Sequence, residues 1–115
     1  MKKIYNIGVE ATMDVIGGKW KPIILCNLRH NPSRPGELRR QIPGISQKML
    51  TQQLRELEID NIIVRKVYNQ VPPKVEYSLS PYGETLNGLL DILCSWGEGH
   101  KKKKKSMGEE VQILE

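Results

Sequence analysis

An α+β chain is predicted from three features met in order along the sequence. A short helix-periodic segment, "ELRRQI", is followed by the breaker "PGI" and a longer amphipathic segment, "SQKMLTQQLRELEID". From residue 62 the apolar period shortens to alternation in "IIVRKVY" and "VEYSL", with the proline-stiffened "NQVPPK" between them. Amphipathic segments precede and follow this run. Helix, tight turn, helix and hairpin in that order define a winged helix-turn-helix, here with an additional helix at each end.

Each element has a local cause. In "VEATMDVI", residues 9–16, Val9, Met13 and Ile16 share a face, and Gly17-Gly18 stops the helix. Pro22 suits the first turn of a second helix, "PIILCNLRH", which is apolar on nearly every side and is expected to be buried. "NPSRPG" is dense in turn residues. Gly36 is the expected N-cap of the third helix, with Leu38 and Ile42 on one face, and Ser46 is a strong N-cap for the fourth. That helix, residues 46–60, is expected to close near Asp60-Asn61, since Asn readily takes the left-handed conformation. The hairpin spans residues 63–79. Ser80-Pro81 is expected to start a last helix whose apolar stripe is Leu86, Leu89, Leu90, Leu93 and Trp96.

At 115 residues the chain is long enough for one domain, expected over residues 1–100, with 101–115 a basic, flexible tail. The net charge is +5, but residues 1–100 carry only 13 Lys+Arg against 10 Asp+Glu, so the run Lys101–Lys105 supplies much of the excess. A modestly basic body suits a nucleic-acid partner without requiring one. Phe is absent, so Leu, Ile, Val, two Trp and four Tyr must fill the core. No apolar run is long enough to span a bilayer, and "MKKIYNIGVE" lacks the apolar stretch of a secretory signal. Cys26 and Cys94 lack metal-site spacing and point to a reducing interior, so a cytoplasmic protein is expected.

The fourth helix carries the functional argument. Leu50, Leu54 and Leu57 fall within ~60° of one another on a helical wheel and form its buried stripe. Lys48, Thr51, Gln52 and Arg55 cluster on the opposite side, with Ser46 and Gln47 at the N-terminal end, and no carboxylate stands in this half. A helix read into a major groove needs such a set. Gln can bond an adenine edge twice, Lys or Arg can bond guanine, and Ser or Thr can reach bases or phosphates. The wing extends the surface: Arg65 and Lys66 lie along its strand, and Asn69, Gln70 and Lys74 in its tip. Such a wing would touch phosphates or the minor groove.

The stretches "GVEATMDVIGGKWKPIIL", "ELRRQIPGISQKMLTQQLRELEIDNII" and "VYNQVPPKVEYSLSPYG" together resemble the HxlR-type transcriptional regulators, MarR-like winged helices of bacteria. The resemblance runs from about residue 5 to residue 97. It implies a homodimer on double-stranded operator DNA, with helix 46–60 in the major groove and hairpin 63–79 as the wing. It also implies that the terminal helices make the dimer, here through Val9, Met13 and Ile16 with Leu86, Leu89, Leu90, Leu93 and Trp96. Three positions depart from the family pattern. Ile7 or Gly8 stands where several members carry a redox-sensing cysteine. Arg34-Pro35 replaces an Arg-aromatic pair, though Arg34 can still reach DNA backbone, and Asn61 replaces a helix-ending Gly.

Catalysis is not expected. His30 and His100 are the only histidines, and neither has a partner at triad or metal spacing; Glu56, Glu58 and Asp60 read as solvated charge. No cofactor is implied. Cys26 and Cys94 read as small hydrophobes, with redox sensing the alternative role. Tyr5 and Trp20 are candidates to line a site for a small-molecule effector. The rival class is a winged-helix module that binds a protein partner, which would place acidic or apolar residues at the start of the fourth helix.

Overall fold

A computed structural model describes residues 3–108. The elements are α1 (Gly8–Ile16), α2 (Trp20–Leu28), α3 (Pro35–Gln41), α4 (Gln47–Ile59), β1 (Ile63–Tyr68), β2 (Lys74–Leu79), a 3-10 turn (Gly83–Leu86) and α5 (Asn87–Ser106). The chain divides into two compact units, Met1–Thr85 and Leu86–Glu115.

The first unit is built on α2, which buries Ile24, Leu25 and Leu28 and packs against α3, α4 and β2. Leu38 and Ile42 from α3 and its end, Leu50, Leu54 and Leu57 from α4, and Ile62 and Ile63 at the start of the hairpin complete this core. Each fully buried Leu or Ile stabilises the unit by about 1.5–3 kcal/mol relative to exposure. Between α3 and α4 the chain reverses at Gly44, whose φ of 90° lies in the region that favours glycine. Ile42 and Ile45 on either side of that turn are both buried, so the turn is pinned by its own apolar residues. Ser46 caps α4 as its sequence indicates, its hydroxyl oxygen accepting from the Met49 N–H at 3.0 Å. Asn61 closes α4 at φ 60°.

The hairpin is antiparallel, with Ile63 opposite Leu79 and Tyr68 opposite Lys74. Lys74 is therefore the first residue of β2 and not part of the tip. A second pairing was not visible in the sequence: Ser33, within the segment read as a plain turn, exchanges both backbone hydrogen bonds with Tyr77, at 2.9 and 2.8 Å. This bridge ties the start of α3 to the wing.

Two helix starts differ from expectation. Gly36 is not the cap of α3: the helix begins at Pro35 with Arg34 as N-cap, and the Glu37 carboxylate accepts the Arg34 N–H at 2.7 Å. Proline at the first helical position loses no hydrogen bond, and this favours the earlier start. Ser80-Pro81 does not begin α5, which starts at Asn87. Ser80 is buried, and its hydroxyl donates to the Asn61 carbonyl at 2.7 Å while accepting from the Gly83 N–H at 2.8 Å. It locks the end of β2 to the start of β1. Gly83 is required by this closure, because a Cβ there would stand 2.0 Å from the Ile62 carbonyl oxygen.

In the second unit, α5 continues through Lys101–Lys105 to Ser106, so the first residues of the expected tail are helical. Lysine is a good helix former, and positive charge at a helix C-terminus meets the partial negative charge of the last carbonyls. Glu98 pairs with Lys101 at 3.0 Å, and Gly108, at φ 86°, closes the helix with its N–H on the Lys105 carbonyl. Residues 109–115 of that expected tail lie outside the described residues.

Candidate nucleic-acid interface

The buried stripe of α4 leaves the opposite side to solvent. Ser46, Gln47, Lys48, Thr51, Gln52 and Arg55 are all exposed, and the first turn holds no acidic residue. The unpaired N–H groups of a helix start therefore add to the positive bias of Lys48 and Arg55. The side chains are not equivalent. The Thr51 hydroxyl donates to the Gln47 carbonyl at 2.9 Å, which spends its proton on the helix and leaves its lone pairs and methyl group outward. The Ser46 oxygen is occupied by the cap, but its proton remains available.

Two arginines absent from the sequence-based site join this surface. Arg39 and Arg40 of α3 are exposed and, with Gly36 and Gln47, line an open groove of ≈ 390 Å³ at the start of α4. The signal was present in "ELRRQI", where everything off the Leu38–Ile42 face is polar or basic. Arg34 is exposed at the N-cap of α3, held beside β2 by the neighbouring Ser33 bridge.

In the wing, Arg65, Asn69 and Gln70 are exposed. Lys74 is half-buried and engaged within the hairpin. Its ammonium lies 3.5 Å from Glu76 Oε2 and 4.7 Å from the centre of the Tyr68 ring. Lys66 sits 4.8 Å from the same ring, and the Tyr68 hydroxyl donates to Glu76 Oε1 at 3.0 Å. The Tyr68 ring thus has an ammonium from each strand near it, and Glu76 pairs with the one on Lys74.

Glu56 is not simply solvated charge. It accepts from the Lys21 ammonium at 2.9 Å. That hydrogen bond and the Lys21 charge hold its carboxyl below the ordinary range. Near the N-terminus, hydrogen bonds from Lys3 and from the Tyr5 hydroxyl, the latter at 2.8 Å, lower the Asp14 carboxyl. Tyr5 is thus exposed and tied to α1, while Trp20 is half-buried with the Lys19 ammonium 4.6 Å from its ring centre.

The residues expected at a dimer face differ in exposure. Val9, Met13, Leu93 and Trp96 are exposed, Trp96 by 70%, whereas Leu86 and Leu89 are half-buried. Ile16 and Leu90 are buried within the chain at 4% and 0% exposure and belong to no open face. Helical periodicity marks an apolar stripe but not which of its residues the chain itself covers. Cys26 is half-buried and Cys94 exposed, with no disulfide between them. Among the described residues no group of His, Cys, Asp or Glu is arranged to hold a metal, and no helix is long and apolar enough to cross a membrane.

A three-helix core, a turn at Gly44 and a two-stranded wing make this a winged helix-turn-helix protein. Residues 15–105 match the HxlR-like helix-turn-helix family, and the chain belongs to it. The family is one of transcriptional regulators and not of enzymes. The chain is 60% identical over 114 residues to the uncharacterized HTH-type transcriptional regulator YtcD of Bacillus subtilis (strain 168), covering 99% of this chain and 89% of that protein. A crystal structure of ytcD superposes with a TM-score of 0.78 at 63% identity, over 82% of this chain and 96% of that one. The redox regulator HypR in its oxidized form superposes with a TM-score of 0.79 at 53% identity, over 81% and 96%.

Proposed function

We propose that the protein is a homodimeric, sequence-specific regulator that reads a pseudo-palindromic operator with α4 and steadies it with the wing. The observation that carries this reading is the carboxylate-free, exposed face of Ser46, Gln47, Lys48, Thr51 and Gln52 on a helix whose other side is locked into the core. Arg34, Arg39, Arg40, Arg55 and Arg65 surround it as phosphate-binding groups, with Asn69 and Gln70 at the wing tip. Two copies of α4 would enter successive major grooves ~34 Å apart. Regulation is proposed as repression, because a dimer seated on its operator occludes the DNA it covers.

The dimer is supported by apolar side chains left in solvent on both terminal helices: Val9 and Met13 on α1, and Ile92, Leu93 and Trp96 on α5. The test is selection of DNA by the pure protein from a random pool. Enrichment of two inverted half-sites one helical turn apart supports the reading, and enrichment of none overturns it.

A second reading adds redox control, favoured by the exposure of Cys94 on α5 and by likeness to a protein described as a redox regulator. Oxidation there would act on the dimer and only indirectly on α4. A Cys94→Ser variant whose DNA affinity responds to oxidant as the wild type does would remove that cysteine from the mechanism.

A further inference from the structure

The end of α5 carries a block of charge that neither α4 nor the wing accounts for. Residues 97–108, "GEGHKKKKKSMG", hold five lysines against one glutamate, a net charge of +4. All five lysines lie within the helix, which runs to Ser106. Glu98 pairs with Lys101 at 3.0 Å, while Lys102, Lys103, Lys104 and Lys105 are exposed. At about 100° per residue the run passes fully round the helix axis, so cations stand on every side.

Lysine favours the helix one residue at a time, but the block repels itself. Lys101 and Lys104, Lys102 and Lys105, and Lys101 and Lys105 stand three or four residues apart, spacings at which like charges destabilise a helix. A polyanion laid along the block turns that repulsion into attraction. The helical rise sets these charges about 1.5 Å apart along the axis. Duplex DNA offers one negative charge per about 1.7 Å of its own axis, a close match. Other partners fit less well. A helix that lies in a lipid surface needs an apolar face, and residues 97–106 contain no large apolar side chain. Lysine is also depleted from protein–protein interfaces.

We propose that the lysine block at the end of α5 is a second DNA-contacting surface, one that binds duplex phosphates without regard to base sequence. The inference takes from the proposed function only that duplex DNA is the partner, and it does not need α4 to read bases. Contacts of this kind release counterions, so binding through them weakens steeply with salt.

The test is a salt titration of full-length Lys102→Gln/Lys103→Gln/Lys105→Gln beside the wild type, on the DNA the wild type selects and on unrelated duplex. Glutamine is about as good a helix former as lysine, so α5 is retained, which circular dichroism checks. Each lysine on a phosphate contributes about 0.9 to the slope of log affinity against log salt, so the slope should fall by about 2–3 units on both DNAs. Base preference, measured by varying each operator position, should stay as in the wild type. Lys102→Arg/Lys103→Arg/Lys105→Arg should keep the wild-type slope. An unchanged slope on both DNAs in the folded glutamine variant would overturn the proposal. The block would then belong to another partner, an acidic protein or the chain's own Glu109, Glu110 and Glu115. Lysine-dependent binding to phosphatidylserine vesicles that is tighter than binding to unrelated duplex would overturn it as well. If the wild type selects no sequence yet shows the lysine-dependent slope on unrelated duplex, reading by α4 fails and this contact stands.

Discussion

Lys48 and Lys74 are the same residue type and differ in what they are free to do. Lys48 is exposed on α4, while Lys74 is held between Glu76 and the Tyr68 ring. An expectation from sequence that Lys74 meets phosphate must therefore allow for its internal partners. Glu76→Gln should release Lys74 and remove a negative charge beside the proposed DNA surface. The expected outcome is tighter binding to all sequences and a steeper salt dependence, by about one unit in the log–log slope. Titrations at two salt concentrations check this, and an unchanged slope would show that the wing lysine stays engaged. Acid sensitivity is also set residue by residue. The Glu56 carboxyl is lowered from its ordinary 4.5 by Lys21, so the stability it contributes is present above 4.5 and lost as pH falls through the lowered value. Thermal melts from neutral pH into the acid range should show a shallower acid decline for Lys21→Met/Glu56→Met than for the wild type. Asp14 acts in the same direction. Lys3, raised by that partner, loses its share only as pH rises above 10.5.

At the scale of elements, the ends of the hairpin are the least tolerant part of the fold. Ser80, Gly83, Asn61 and Ile62 close on one another through hydrogen bonds of 2.7–3.1 Å. Gly83→Ala should lower stability by on the order of 3 kcal/mol, because the added methyl meets backbone and not a movable side chain. A melting temperature within a degree or two of wild type would refute that. The sequence was most informative where one local cause sufficed. The Ser46 cap, the Asn61 stop and the Leu50–Leu54–Leu57 stripe are each decided within a single turn of chain. It was less informative where the cause lay elsewhere in the chain. The Ser33–Tyr77 bridge, the Lys21–Glu56 pair and the role of Ser80 all join residues many positions apart, which no periodicity encodes. Start positions of α3 and α5 shifted for the same reason: Pro35 and Ser80 were each claimed by a different local structure from the one their type first indicates.

For the whole molecule, the proposal depends on a second copy of the chain. The α5 helix buries only Leu90 among its residues and exposes Ile92, Leu93 and Trp96, with the Trp96 ring stacked on His100 at 5.0 Å. Leu93→Glu/Trp96→Glu should leave a folded monomer, seen by sedimentation equilibrium. It should also weaken operator binding by about 10²–10⁴-fold through loss of two-site engagement. A dimer of wild-type strength in that variant would place the interface elsewhere. Most residues of the proposed DNA surface could be named from the sequence, since they sit on one helix and one hairpin. The exceptions were Arg39 and Arg40, which reach the site only because the turn at Gly44 sets α3 beside the start of α4. The most direct measurement is a gel-shift titration of the selected operator with wild-type protein and with folded Lys48→Ala/Gln52→Ala. The expected result is a loss of about 2–6 kcal/mol in specific binding, with binding to unrelated DNA reduced far less. Wild-type affinity and wild-type discrimination in the double variant would contradict the reading of DNA by α4.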